Sequence, residues 1–232
     1  MKTTVEHIVR LRNPDFRFDA NLNTVALIRF VWEQLRSILR GLRLLLILRH
    51  PHMAMLGKGV RFHNTPGITY GRFMKLGDHV LMSALGSEGI TLGHNVGIGA
   101  FSRVVVATSL DRIGSHIRIG SNVGIGEYAY LGGAGGLEIG DDCIVGQYFS
   151  CHPENHNFEK PEVPIRKQGT SREGIKIGNN CWIGSKVTIL DGVTVGDGCV
   201  IAAGSVVTRS FPANSIIGGV PAKHIKQRIS DR

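Results

Sequence analysis

The run Ile177-Gly-Asn-Asn-Cys-Trp-Ile-Gly-Ser-Lys-Val-Thr-Ile-Leu-Asp-Gly-Val-Thr-Val-Gly-Asp-Gly-Cys199 repeats its own form after 18 residues. Ile177-Gly178-Asn179-Asn180-Cys181 and Val195-Gly196-Asp197-Gly198-Cys199 each read aliphatic, Gly, two polar or small residues, then Cys. Between and beyond them an aliphatic returns every six residues, at Ile177, Ile183, Ile189, Val195 and Ile201. Three sixes per 18 have a direct geometric reading: each six is one short strand and one turn, and three of them make a triangular coil. The recurring aliphatic points inward and stacks on its equivalent one coil away, burying a core that no single repeat buries alone. The Gly beside it is read as the backbone freedom of a tight corner. A heptad or membrane-spanning pattern does not fit, because apolar residues are too sparse and Gly too frequent.

Working upstream, Ile139-Gly140-Asp141-Asp142-Cys143 has the same form but lies 38 residues before Ile177, one coil plus about 20 inserted residues. Ile90–Gly99, Ile117–Gly126 and Leu137–Gly146 are close variants of one another, and Gly57–Val60 and Met74–Gly77 look like degenerate early copies. The repeats therefore run from about residue 57 to 207. Their main interruption begins at Ser150-Cys-His-Pro-Glu-Asn-His-Asn-Phe158 and continues to about Glu173. Irregular insertions longer than about 12–15 residues in a compact domain are typically functional or disordered, and this one carries His152 and His156.

The chain has 232 residues, 31 of them Gly, with 6% aromatic and 42% hydrophobic residues, which is unlike disordered or membrane-spanning chains. Its net charge of +9 is uneven. Residues 1–50 hold nine Lys/Arg against four Asp/Glu, residues 209–232 five against one, and residues 51–208 thirteen of each. A neutral body with two basic ends argues against nucleic-acid binding through a broad basic face and for local anionic partners at each end. Cys143, Cys181 and Cys199 recur at one repeat position without Cys-x-x-Cys spacing, so they read as small core residues. The N-terminus lacks the apolar stretch of a secretory signal, and a cytoplasmic location is expected.

Residues 1–20 show no clear period and read as a tail. From Asn23 to Leu48 apolar residues recur at helical spacing, while Arg29, Arg36, Arg40 and Arg43 share another face. Such a helix either packs on its own domain or lies peripherally in the inner membrane face; it is too interrupted by Arg to span a bilayer. His50-Pro51 ends it. The expected organisation is an N-terminal tail and basic amphipathic helix over 1–50, a repeat body over 51–208 with an inserted loop at 152–173, and a basic extension over 209–232.

These features resemble the hexapeptide-repeat acyltransferases, and the resemblance covers about three quarters of the chain. It is carried by Asn155-His156-Asn-Phe158, Pro164-Ile165 with Gln168-Gly169, Cys181-Trp182-Ile183-Gly184-Ser185, Ile201-Ala-Ala-Gly-Ser205 and Gly218-Gly-Val-Pro-Ala-Lys223. The chain is most similar to the galactoside, maltose and surface-polysaccharide O-acetyltransferases. The resemblance implies a mainly β fold, a left-handed parallel β-helix with an N-terminal amphipathic helical segment and a protruding loop. It also implies a homotrimer with active sites between subunits, acetyl-CoA as acyl donor without a metal, and a sugar or glycan hydroxyl, or an amine, as acceptor.

The family's general base is a histidine, whose ordinary pKa near 6.5 suits proton abstraction at neutral pH. Spacing counted without gaps from Ile139-Gly140 selects His156; the local His-Pro context instead selects His152. The residue matching Ser185 supplies a backbone amide to the oxyanion. The resemblance sets Trp182, Gly184, Ser185, Ala203 and Gly204 along the donor's groove and Thr208, Arg209, Lys223 and Lys226 near its phosphates, with Arg209 in place of a common Lys. Glu154, Asn155 and Gln168 are the candidate acceptor contacts. His63, His79, His94, His116 and His224 read as turn, surface or incidental residues. Two other classes compete: a zinc lyase of carbonic-anhydrase type, for which three ligands are needed, and a catalytically silent scaffold recruited to membranes by its helix.

Overall fold

Aliphatic side chains six residues apart in sequence become neighbours along three columns. In the computed structural model, which describes residues 2–10, 13 and 15–228, the chain from Met55 onward coils through three parallel sheets in turn. The first sheet stacks eight parallel strands from Met55–Leu56 to Ser215–Gly219, the second seven from Arg61–His63 to Val206–Val207, and the third six from Ile68–Tyr70 to Thr194–Val195. Register follows the repeat: Ile125 pairs with Val145, Val145 with Ile183, and Ile183 with Ile201. All four are buried, as are Leu131, Cys151 and Ile189 in the second sheet and Ile119, Ile139 and Ile177 in the third. Cys143, Cys181 and Cys199 are buried free thiols stacked at one corner, the core role read for them.

The corner glycines have a different reason from the one expected. Gly77, Gly99, Gly126, Gly146 and Gly184 do not have positive φ. A Cβ on any of them would lie 2.4–2.6 Å from a backbone nitrogen of the next coil, so it is close approach that demands Gly. Left-handed backbone falls two residues later, on His79, Phe101, Tyr128, Tyr148 and Lys186, with φ between 57 and 61°. That conformation is costly for bulky side chains. Here the rings of His79, Phe101, Tyr128 and Tyr148 stack in a ladder with centroids 5.0–5.2 Å apart, a contact that offsets part of the cost. At another corner Asn95, Asn122, Asp142 and Asn180 hold positive φ, which short polar side chains tolerate.

The coil also continues beyond residue 208. Phe211 bridges Val195 and Ser215–Gly219 pairs with the strand containing Ile201, before Ala222–Gln227 turns back antiparallel to close the first sheet. Residues 229–232 of the expected C-terminal extension lie outside the described residues.

Two helices precede the body. The first, α1 (Lys2–Arg10), occupies sequence with no evident period; Glu6 pairs with Arg10 within it at 2.6 Å and ties it to the following segment by accepting from Phe18 N at 3.2 Å. The second, α2 (Thr24–Gly41), is capped by Asn23, whose side chain accepts from Ala26 N, and runs into a 3-10 turn over Leu42–Ile47 that ends before Pro51. It packs on the strand Met55–Leu56, with Gly41 against the Ala54 carbonyl. Among the described residues no helix is long and apolar enough to cross a membrane.

Leu131 is fully buried in the middle of the second column. Leu131→Ala is expected to lower unfolding free energy by about 2–5 kcal/mol, read as a lower urea midpoint at unchanged m-value.

Candidate active site

The inserted segment is a braced hairpin. Asn155–His156 pairs antiparallel with Thr170–Ser171, Asn155 opposite Ser171 and His156 opposite Thr170. Gln168 holds the tip: its side-chain nitrogen donates to the carbonyls of Lys160 (2.8 Å) and Val163 (2.7 Å), and its oxygen accepts from Lys160 N at 3.1 Å. The amide of this candidate acceptor contact is thus engaged in shaping the loop. Asn157 adds a bond from its side chain to the Gln168 carbonyl at 3.1 Å.

A second insertion meets the first. Ile98 and Ile125, partners in successive coils, are 27 residues apart where Ile183 and Ile201 are 18 apart. The surplus emerges between the strands Arg103–Val105 and Gly114–Ile119. Arg112 of that segment donates to the Thr170 carbonyl at 3.0 Å and to its hydroxyl, and Arg172 donates back to the Ile113 carbonyl at 2.9 Å. The Arg172 guanidinium also pairs with Glu154 at 2.5 Å, and Thr170 donates its hydroxyl to Glu154 at 3.2 Å.

Between the two insertions is a cleft of about 320 Å³, lined in part by Arg112, Tyr130, His152, Glu154, His156 and Arg172. His152 closes the strand Ser150–His152, and its ring stacks on Tyr130 at 5.4 Å and 18°. His152 is exposed as a residue, but the partial burial of its imidazole pushes it below the ordinary histidine value, because burial penalises the charged form. His156 lies on the exposed hairpin. Arg112 and Arg172 were not among the candidates read from sequence; the surplus in the Ile90-to-Ile117 spacing was the available signal for the first.

The donor-side candidates are elsewhere on the coil. Trp182 is exposed on the first sheet, and Ser185 follows at the corner leading to the second, with its hydroxyl on Gln147 at 2.8 Å. The backbone N–H groups of Gly184 and Lys186 find carbonyls at 2.8 Å, whereas that of Ser185 has no acceptor among the described residues. Gly184 is required by packing, since its Cβ would come 2.5 Å from Ala203 N. Gly204 has φ of 72° and open space where a Cβ would stand, beside the exposed Ala203. Thr208 and Arg209 are exposed, Arg209 over the Phe211 ring at 5.4 Å, and Lys223 and Lys226 are exposed on the closing strand. None of these donor-side residues lines the histidine cleft. Ser185 stands before Thr188, where one strand of the second sheet begins, and His152 pairs with Leu190, where that strand ends. Among the described residues no group of three or more His, Cys, Asp or Glu is placed to hold a metal ion.

Comparison with known proteins agrees with this architecture. Residues 174–209 match the model of the bacterial transferase hexapeptide, six repeats. Rv3034c of Mycobacterium tuberculosis, which carries an acetyltransferase name, is 30% identical over 190 residues, 78% of this chain and 54% of its own length. WbbJ of Escherichia coli, named for O-acetyl transfer in lipopolysaccharide biosynthesis, is 31% identical over 147 residues, 60% of this chain and 69% of its own. The chain thus spans about half the length of the first relative and two thirds of the second. Among solved structures, a mutant of AntD, an N-acyltransferase from Bacillus cereus, in complex with dTDP-4-amino-4,6-dideoxyglucose and coenzyme A, shares the fold. Its TM-score is 0.52 at 22% identity, over 77% of this chain and 84% of that one. With its coil, its repeat and a relative matched over two thirds of that relative's length, the chain belongs to the bacterial hexapeptide-repeat transferases.

Proposed function

We propose that the protein is an acetyl-CoA-dependent acetyltransferase that acylates a hydroxyl, or an amine, of a sugar in surface-polysaccharide or related glycan biosynthesis. The observation that carries this reading is the cleft between the two insertions, where two histidines share a wall with Glu154, Arg112, Arg172 and Tyr130. Such a lining offers donors and acceptors to a polyhydroxyl ligand. The relative named for O-acetyl transfer in lipopolysaccharide biosynthesis and the sugar nucleotide bound by AntD support the acceptor class.

In this reading the coil winds left-handed and three copies assemble with active sites between them. His156 is the general base by spacing, with His152 second. The imidazole takes the acceptor's proton as its oxygen attacks the thioester carbonyl. The tetrahedral oxyanion accepts from the Ser185 amide, which has no other acceptor among the described residues. Collapse expels the CoA thiolate, and the imidazolium returns the proton to it. Trp182, Ser185, Ala203 and Gly204 would border the pantetheine arm, and Thr208, Arg209, Lys223 and Lys226 the phosphates. Their exposure and the open space at Gly204 fit that use.

Glycan-dependent CoA release by wild type, His156→Ala and His152→Ala tests the assignment. A loss of roughly 10²–10⁴-fold in His156→Ala alone, with unchanged assembly by gel filtration, is the expected outcome. The same loss in His152→Ala alone moves the base by four residues, and full activity in both variants overturns the enzyme reading. The pH profile is an independent check on His152. Burial keeps His152 neutral to lower pH, so a base at His152 places the acid limb of kcat/KM below the ordinary value of about 6.5. Arg172→Ala is expected to loosen the hairpin, raising acceptor KM roughly tenfold while KM for acetyl-CoA stays within about twofold, measured by steady-state kinetics.

A further inference from the structure

The helix α2 presents three stripes, and the body uses only one. Gly41 is buried against the Ala54 carbonyl and Leu27 is buried on the same stripe, with Phe30, Val31, Gln34, Ser37 and Ile38 half-buried beside them. A second stripe, Val25, Ile28, Trp32, Leu35, Leu39 and Leu42, alternates by three and four residues, yet its members are 46–76% exposed. The apolar surface continues past the helix through Leu45, Leu46, Ile47 and Leu48, all exposed. Arginines line the edge of this stripe: Arg29, Arg36 and Arg43 each follow or precede one of its members, and Arg40 lies beside them. Arg29 is paired with Glu33 and Arg43 reaches the Val60 carbonyl; Arg36 caps the Trp32 ring at 4.9 Å. Neither Arg36 nor Arg40 meets a carboxylate among the described residues.

We propose that this outward face of α2, continued by Leu45–Leu48, seats the protein on an anionic lipid membrane. Charge selects that occupant. Spacing of three and four is also the seam of a coiled coil, in which residues flanking the seam choose the partner. On one flank here Arg29, Arg36 and Arg43 recur every seven residues, and the other flank is Val31, Ile38 and Leu45. A second copy running antiparallel would set Arg against Arg, and one running parallel would set Arg against aliphatics, so neither offers a carboxylate to Arg36. A layer of anionic headgroups above an acyl interior offers both, cations at the headgroups and the apolar stripe sunk below them. Trp32 in the middle of the stripe suits that boundary. The inference does not depend on the enzyme reading.

The test is sedimentation of the full-length protein with vesicles of phosphatidylcholine containing phosphatidylglycerol and with phosphatidylcholine alone. Wild type is expected to bind the anionic vesicles at least tenfold more strongly, with the difference shrinking as salt screens it. Leu35→Ser with Leu39→Ser, and separately Arg36→Glu with Arg40→Glu, are expected to lower that binding at least tenfold. Leu35, Arg36 and Leu39 are exposed and Arg40 is half-buried where it borders the body near Asp78, so circular dichroism and melting temperature, expected unchanged, are measured for both double variants. Absence of binding by wild type, or equal binding by both double variants, overturns the proposal. So does a fall in molar mass of Leu35→Ser with Leu39→Ser by light scattering without vesicle binding by wild type, which assigns the face to contact between copies.

Discussion

Everything in the body depends on how closely successive coils approach at the corners. A Cβ at Gly99 would come 2.4 Å from Glu127 N, and one at Gly146 would come 2.6 Å from Ser185 N. With Gly in those places, the corner amides reach carbonyls one coil away at 2.8 Å in successive coils, as at Gly126 to Val145 and Gly146 to Ile183. The same spacing brings the inward aliphatics into contact, so hydrogen bonding and apolar burial are satisfied by one geometry rather than traded against each other. The residue immediately after the corner glycine is where Ser185 stands, and the missing Cβ of Gly146 is what leaves room at its amide.

A stack this tight does not absorb extra residues within its walls. The surplus in the coil from Ile98 to Ile125 and in the coil from Val145 to Ile183 is expelled, and both emerge beside the end of the second sheet. There the two segments brace each other, Arg112 on Thr170 and Arg172 on Ile113. Glu154 neutralises Arg172 inside this brace and accepts from Thr170 through the same oxygen. The cleft is therefore a by-product of the repeat's rigidity: a wall of fixed strands on one side and two cross-linked loops on the other.

The repeat made the coil and the buried cysteines legible from sequence, because a period of six leaves few ways to bury its aliphatics. It also located the longer insertion, since 38 residues between Ile139 and Ile177 cannot be two regular coils. The shorter one was equally countable between Ile90 and Ile117, but its surplus of nine carried no histidine to draw attention, and Arg112 was missed with it. The role of Gln168 was illegible because its partners are carbonyls, which sequence does not distinguish. The reason for the corner glycines was misread for a related cause: sequence reports that a side chain is missing, not whether φ or a neighbour forbids it. For α2 the amphipathic pattern was plain, yet periodicity does not say which stripe meets the body, and the body took the one that ends at Gly41. Nor did anything in the sequence past Val207 mark a further coil, because the aliphatic that continues the first column, Ile217, follows Ile201 by 16 residues rather than 18.

The proposed chemistry needs a base and an amide donor on opposite sides of one carbonyl. The chain keeps its histidines beside one end of the strand Thr188–Leu190 and Ser185 before the other. That separation is fixed by the coil, because Ser150 and Thr188 are in register and their hydroxyls are bonded at 3.0 Å. No loop movement within one protomer brings the Ser185 amide round the strand, since its neighbours Gly184 and Lys186 are both held in coil-to-coil hydrogen bonds. A rotation that sets the histidine cleft of one copy against the Ser185 corner of the next satisfies the requirement, and repeating it closes a ring. In the proposed assembly, catalysis and association are one constraint: each copy supplies one rigid half of the site and its neighbour the other.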